Sequence, residues 1–229
     1  MRIPEQLTIH RHADPESVAG ALFELLQSEL DWTQPQTWLL PGGSSPGRLF
    51  DQIVGSGRDL SQLTLLATDE RLVPKTDERS NYRLLVEHFL KNELPAAHRP
   101  TVCVFYDTQY NRAENNRLLR QQLDHLPPLT LALMGIGTDG HTASLFPHKS
   151  QNALPDDWIY SHYDTGDGLD RISLGREYLN RAERMIFLCP GEKKRPILKR
   201  VLEGEYDPDA YPVQWFFRHF PGRMELFCQ

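Results

Sequence analysis

Leu129-Thr130-Leu131-Ala132-Leu133-Met134 runs without a break into Gly135-Ile136-Gly137-Thr138-Asp139-Gly140-His141-Thr142-Ala143-Ser144-Leu145-Phe146-Pro147. The first six residues form an apolar run of strand length, and the glycines that follow end it in a tight turn. Gly135, Gly137 and Gly140 match the spacing of a dinucleotide-binding fingerprint. That fingerprint needs an uninterrupted helix after its third glycine and normally opens a domain. Here Pro147 arrives too early for such a helix, and the motif lies past the middle of the chain. The stretch reads as a buried strand feeding an irregular loop, with no nicotinamide or flavin site.

Working outward, apolar runs and helical patterns alternate along the chain. Strands are expected at Leu7 to His10, Thr37 to Leu40, Leu63 to Ala67, Val102 to Phe105, Trp158 to His162, Met185 to Cys189 and Met224 to Cys228. Asp14 offers an N-cap with Pro15 at the first helical position, and Val18, Leu22, Leu25 and Leu26 follow at helical spacing. Further helices are expected around Leu49 to Val54, Asn81 to Leu90, Ala113 to Leu123 and Ile197 to Leu202, while Gly204 to Pro221 reads as irregular. This alternation predicts parallel crossover units in an α/β fold, a Rossmann-like three-layer sandwich with a mostly parallel central sheet. Ligands of open parallel sheets bind outside the carboxyl ends of the strands, which directs attention to the residues after Leu40, Ala67 and Met134.

Composition narrows the function classes. Against a prior of ~150 residues per domain, the 229 residues favour one domain spanning 1–229. The net charge of −6 argues against a nucleic-acid partner, which would need a basic face, yet leaves room for a small anion in a local basic pocket. No apolar run is long enough to span a membrane, and Met1 to Gln6 lacks a signal-peptide core. Cys103, Cys189 and Cys228 are odd in number and form no CxxC motif, so a reduced, cytoplasmic protein without structural zinc is expected.

The three strand-end loops carry the chemistry. Pro41-Gly42-Gly43-Ser44-Ser45-Pro46 has the parts of an anion cradle: glycines that free backbone amides, hydroxyl donors, and a helix start. The same residues would serve an ordinary turn in which Ser44 or Ser45 caps the helix. Thr68-Asp69-Glu70-Arg71 sets two carboxylates and a guanidinium at a strand end, suited to orienting a polyol and a charged group. A second triplet, Asp77-Glu78-Arg79, shows that the composition alone is common; the first copy is favoured because it follows a buried strand. In the third loop, His141 stands in a glycine turn two residues after Asp139, and imidazole suits acid–base work near neutrality. The other histidines read as structural, and His10 and His12 lack further metal ligands.

Together, Gly42-Gly43-Ser44-Ser45-Pro46, Asp69-Glu70-Arg71-Leu72-Val73-Pro74 with Ser80-Asn81-Tyr82, and Gly135 to Pro147 resemble the 6-phosphogluconolactonase family. Arg171-Ile172-Ser173-Leu174 and Gly191-Glu192-Lys193-Lys194 resemble its later basic motifs, so the likeness spans Gly42 to Leu202. It implies hydrolysis of 6-phospho-D-glucono-1,5-lactone to 6-phosphogluconate in the oxidative pentose phosphate pathway, with no cofactor and no metal. The implied partner is thus a small phosphorylated sugar lactone, with neither nucleic acid nor membrane, and the protein a monomer or weak homo-oligomer. By position, the resemblance implies His141 as the base that activates water, with Asp69 and Arg71 orienting substrate. It implies Gly42, Gly43, Ser44, Ser45, Asn81 and Asp139 as substrate contacts, and Arg171 and Lys194 as phosphate ligands.

Glucosamine-6-phosphate deaminase shares the Asp-Gly-His turn but usually continues with an Ile-Ala-Phe-Asn-Glu type run and has Tyr after its Asp-Glu, where Thr142-Ala143-Ser144-Leu145-Phe146-Pro147 and Arg71 stand here. A non-catalytic sugar-phosphate sensor would often have lost His141 or Arg71. Two departures from the family stand out. Pro196 follows Lys194 closely, which implies a later helix start and makes Lys193 a substitute phosphate ligand. The chain also ends just after Phe227, where the family often adds a helix.

Overall fold

A computed structural model describes residues 6–91, 93–148, 158–162 and 168–229. The sequence reading of residues 1–5 lies outside them. In chain order the elements are β1 (Leu7–Arg11), α1 (Pro15–Glu29), β2 (Gln36–Leu40), α2 (Gly47–Gly55), β3 (Leu63–Ala67), β4 (Asp69–Arg71), α3 (Asn81–Phe89), β5 (Thr101–Val102) and α4 (Arg112–Asp124). They continue with β6 (Leu129–Gly135), β7 (Ile159–His162), β8 (Arg171–Leu174), α5 (Arg176–Leu179), β9 (Arg184–Cys189), α6 (Arg195–Glu203), α7 (Val213–His219) and β10 (Arg223–Cys228). No helix among the described residues is long and apolar enough to cross a membrane.

Seven strands pair in the order β1-β10-β9-β6-β2-β3-β5, and every neighbouring pair is parallel. Strands β2 and β9 are buried at every position. That is the signature of a parallel sheet covered on both faces, the three-layer arrangement the alternation predicts. Burial obliges polar groups to pair, and the indole of wholly buried Trp38 donates to Gln36 Oε1 at 2.9 Å. From β2 the chain steps outward through β3 to β5, then returns to lay β6 on the other side of β2 and steps away through β9 to β10. The reversal falls between β2 and β6, where a parallel sheet opens a crevice at its carboxyl edge.

Several local expectations change. Strand β5 ends at Val102 instead of reaching Phe105. The chain leaves the sheet because buried Asn115 of α4 takes the following backbone, accepting from Asp107 N at 2.9 Å and donating to Asp107 O at 3.0 Å. The stretch from Gly204 contains α7, which begins after Pro212 and buries Val213, Phe216 and Phe217 at helical spacing. Pro196 does not delay α6: the helix starts at Arg195, and a proline in the first turn forfeits no helix hydrogen bond. A second, antiparallel sheet, β4-β8-β7, stands beyond the carboxyl end of β3.

At the opposite, amino edge an ion cluster ties the sheet to α1. The Glu225 side chain is fully buried and receives Arg184 through Nε at 2.9 Å and Nη2 at 2.5 Å, with Arg223 Nε at 2.7 Å. Arg184 also meets Glu29 at 3.0 Å, and Arg223 donates to the same carboxylate; the hydrogen bond from Arg223, aided by the charge of Arg184, holds the Glu29 carboxyl below its ordinary pKa against the opposing effect of burial. Removing one partner of a buried pair typically costs ~3–5 kcal/mol because the other charge is left without its counterion. Glu225→Ala should therefore lower stability by about 3 kcal/mol, the low end because Glu29 remains. Urea titration should show an earlier midpoint at an unchanged slope; a loss below about 1 kcal/mol would mean the cluster adds little.

Candidate active site

The loops after β2, β3, β6 and β9 meet over the reversal and enclose a cleft of about 250 Å³. Its walls include Gly42, Gly43, Ser45, Asp69, Arg71, Asn81, Gly137, His141, Arg171 and Lys194. Of the residues picked out by sequence, Ser44 and Asp139 do not line it. Ser44 is exposed on the turn. Neither serine caps α2, whose N-cap is Pro46 with no side-chain bond, so the expected serine cap is not formed. Among the described residues no acceptor takes the amides of Gly43, Ser44 or Ser45, as suits a loop that offers donors to an anion. Gly43 turns there with φ of +80°.

Asp139 stands beside the imidazole. Its Oδ1 lies 2.6 Å from His141 Nδ1 and also accepts the His141 amide at 3.2 Å. Partial burial pulls the Asp139 pKa upward, but the bond to His141 and its charge outweigh that and leave it below the ordinary carboxylate value. A neutral imidazole that donates Nδ1–H to a carboxylate keeps the Nε2 lone pair for a substrate proton. The turn is closed by Gly137 N on His141 O at 2.9 Å and Gly140 N on Gly137 O at 3.0 Å. Only glycine fits at 137, because a Cβ there would lie 2.2 Å from the His141 ring.

The cations come from the second sheet and the β9 loop. Arg71 and Arg171 are direct partners across β4 and β8. Like charges in that register repel, and both side chains reach the same cleft. Arg171 is nearly buried, with Nη1 3.8 Å from Asp69 Oδ2 and its guanidinium over the Phe146 ring at 5.8 Å. Arg71 Nη1 donates to Arg79 O at 2.5 Å. Lys194 Nζ donates to Ile136 O at 2.7 Å, so Lys194, and not Lys193, is the lysine of the cleft wall. The second acidic triplet is a surface feature, with Arg79 paired to Asp77 at 2.8 Å in solvent.

Asp69 is held rather than free. Ser144 Oγ donates to its Oδ2 at 2.5 Å, and Thr68 Oγ1 and Asn81 Nδ2 approach Oδ1 at 3.3 and 3.4 Å. Asn81 also donates to Asp69 O at 2.8 Å, and its amide lies where a Cβ on Gly42 would sit, 1.9 Å from Oδ1. Gly42 is thus required by a close approach. No three His, Cys, Asp or Glu side chains among the described residues cluster as metal ligands.

The sequence reading set Glu70 beside Asp69 as a second carboxylate for the substrate, but Glu70 does not line the cleft. Its carboxylate is buried and accepts four hydrogen bonds: Arg71 N, Asn81 N and Tyr82 N, each at 2.7 Å, and Ser80 Oγ at 3.0 Å. Burial pushes its pKa up, and the donors pull back without fully offsetting that. Glu70 thereby pins the start of α3, and with it Asn81, against β4. A carboxamide of the same shape would turn an NH₂ toward these donors. Glu70→Gln should destabilise the protein by about 2–4 kcal/mol, since bonds to a charged acceptor contribute ~1.5–3 kcal/mol. Thermal melting checks this, and an unchanged midpoint would show that the four bonds contribute no net stability.

Residues 13–225 match the family model described as glucosamine-6-phosphate isomerases/6-phosphogluconolactonase. A 6-phosphogluconolactonase of Caulobacter vibrioides is 31% identical over 198 residues, 81% of this chain and 79% of that protein. One from Synechocystis is 30% identical over 185 residues, 78% and 76% of the two chains. Among solved structures, a 6-phosphogluconolactonase from Shewanella baltica superposes with a TM-score of 0.82 at 21% identity over 99% of both chains. A monomeric glucosamine-6-phosphate deaminase superposes with 0.80 at 15% identity over 97% of both. At such identities the superpositions establish the fold, which both activities share. The family match and the identity to curated relatives establish more: this chain belongs to the glucosamine-6-phosphate isomerase/6-phosphogluconolactonase family.

Proposed function

We propose that this chain hydrolyses 6-phospho-D-glucono-1,5-lactone to 6-phosphogluconate. The observation that carries the proposal is the joint presence, in one cleft, of a carboxylate-backed imidazole and three cations against a single carboxylate. In a chain of net charge −6, Arg171 and Lys194 suit a phosphate dianion, and Arg71 opposite Arg171 adds to the local positive field of the cleft. The names of the curated relatives support the same substrate.

In the proposed mechanism, the phosphate lies against Arg171, Lys194 and the Gly43–Ser45 turn, which sets the lactone carbonyl beside His141. His141 Nε2 takes a proton from water while the water oxygen attacks C1, and the carbonyl electron pair moves onto its oxygen. Donors in the cleft meet that developing charge. The oxyanion then collapses, the bond from C1 to the ring oxygen breaks, and the ring oxygen takes the proton back from Nε2. Asp139 holds Nδ1–H throughout and stabilises the imidazolium. Asp69 and Arg71 orient the sugar. Water is proposed as the nucleophile instead of a serine: Ser144 is buried with its hydroxyl committed to Asp69, and although Gly43-Ser44-Ser45-Pro46-Gly47 has the G-x-S-x-G spacing, no histidine among the described residues is hydrogen-bonded to Ser45 to activate it.

Two variants test the assignments. His141→Asn should lower turnover by ~10²–10⁴-fold, the usual contribution of a general base, with the fold intact by circular dichroism. A folded variant with near wild-type kcat would overturn the base. Arg171→Ala should raise KM for the phospholactone by roughly one to two orders of magnitude, from the ~1.5–3 kcal/mol of a charge-assisted contact. It should change kcat less, because the phosphate is remote from the reacting carbonyl. Unphosphorylated gluconolactone should be handled about equally poorly by both proteins; an equal loss on both substrates would assign Arg171 to the fold or the chemistry.

A further inference from the structure

The stretch before α7, dense in proline, tyrosine and acids, is absorbed by no step of the mechanism, yet it is a built element. Gln214, wholly buried, fastens it: Nε2 donates to Val201 O and Glu205 O, each at 3.1 Å, and Oε1 accepts Asp207 N at 2.7 Å. Asp207 in turn accepts Tyr211 N on its carbonyl at 2.8 Å and Ala210 N on its carboxylate at 3.0 Å. The result is a rigid strap anchored to the end of α6.

The strap bears on the loop that carries His141 at three points. Asp209 O accepts His148 N at 2.8 Å, and Val213 N donates to Gly140 O at 3.2 Å. Between them the Tyr211 ring lies against Gly140, so close that a Cβ there would come within 2.8 Å of Tyr211 Cδ1 and 3.4 Å of Tyr211 Cα. Gly140 has φ of +88° and separates Asp139 from His141. The outer end of the ring is fixed too, because Arg200 Nη1 donates to the Tyr211 hydroxyl at 3.0 Å. The loop is thus gripped twice from this side, directly through Lys194, just before α6, on Ile136 O and indirectly through Arg200 of α6 and Tyr211 on Gly140.

We infer that Tyr211 is a positioning residue: its ring is the surface against which the Gly140 turn is seated, and it sets the aim of the His141 imidazole and its bond to Asp139. A left-handed glycine has little stiffness of its own, so without the ring the turn sinks into the space vacated. Displacement of a reacting group by ~1 Å can cost ~10²-fold in rate. The inference rests on the proposed role of His141 for its catalytic consequence, though not for its structural one.

The test compares Tyr211→Ala, Tyr211→Leu and Tyr211→Phe with wild type in two readouts. In the lactonase assay, Tyr211→Ala should lower kcat by at least about tenfold while KM for the phospholactone stays within about twofold. Tyr211→Phe, which keeps the ring and loses only the bond to Arg200, should recover kcat to within about threefold of wild type. In nitrogen-15 NMR, the ring shifts of His141 report which nitrogen carries the proton. Wild type should show a preference for Nδ1–H, which Tyr211→Ala should lose and Tyr211→Phe should keep. Tyr211→Leu fills more of the volume and substitutes if the alanine variant does not fold; lacking a flat ring, it should behave as the alanine variant does. Wild-type kcat and His141 shifts in folded Tyr211→Ala or Tyr211→Leu would overturn the inference. So would a rise in KM alone, or a phenylalanine variant as impaired as alanine. The NMR readout needs no substrate, so a wild-type protein inactive on the lactone would count against the proposed function while leaving the seating of the turn tested.

Discussion

Strands β2 and β6 lie side by side, but the chain leaves them in opposite directions, and the crevice this opens is the constraint on which the functional architecture depends. Loops that start from the carboxyl ends of β2, β3, β6 and β9 have nowhere to converge except over that gap. Their backbones are brought so close that glycine is the residue that fits: at 42 a side chain would occupy the place of Asn81, and at 137 that of His141. The amino edge of the same sheet is given to stability, with Glu225 buried under two arginines. Stability and chemistry are thereby assigned to opposite ends of the strands.

Electrostatics follow from this arrangement. An acidic chain can hold an anion only where local cations outweigh its overall field, and short sheet β4-β8 provides that by setting Arg71 opposite Arg171. The cost of that like-charge register is offset in part by Asp69, itself fixed by Ser144, Thr68 and Asn81. Glu70, on the other face of the same three-residue strand, works inward as the acceptor for the start of α3. Adjacent carboxylates thus serve opposite ends: Asp69 faces the cleft, and Glu70 holds the wall in place.

The long parallel strands were legible in the sequence because burial on both faces writes itself as apolar runs, as in Leu63–Ala67 and Arg184–Cys189. The cleft was legible for the same reason, since the loops that follow such runs are where ligands bind. What escaped were features made by short or distant contacts. Strand β4 has three residues, too few for any periodicity, so the division of labour between Asp69 and Glu70 could not be seen. The choice of Lys194 over Lys193 depends on a single turn of backbone before α6, and the sequence offered both. Tyr211 meets Gly140 only because a strap 71 residues further on folds back, and α7 was hidden among prolines and acids that in isolation read as loop.

The central claim is that this cleft opens a phosphorylated lactone with water, rather than carrying out the isomerisation with loss of ammonia that the fold also supports. The most direct measurement follows wild-type protein on 6-phospho-D-glucono-1,5-lactone, with 6-phosphogluconate read through its dehydrogenase and spontaneous opening subtracted. A parallel arm supplies glucosamine 6-phosphate and reads ammonia. The account predicts rapid, protein-dependent formation of 6-phosphogluconate and no ammonia above background. Ammonia release at a comparable rate, or lactone opening no faster than in buffer, would contradict it.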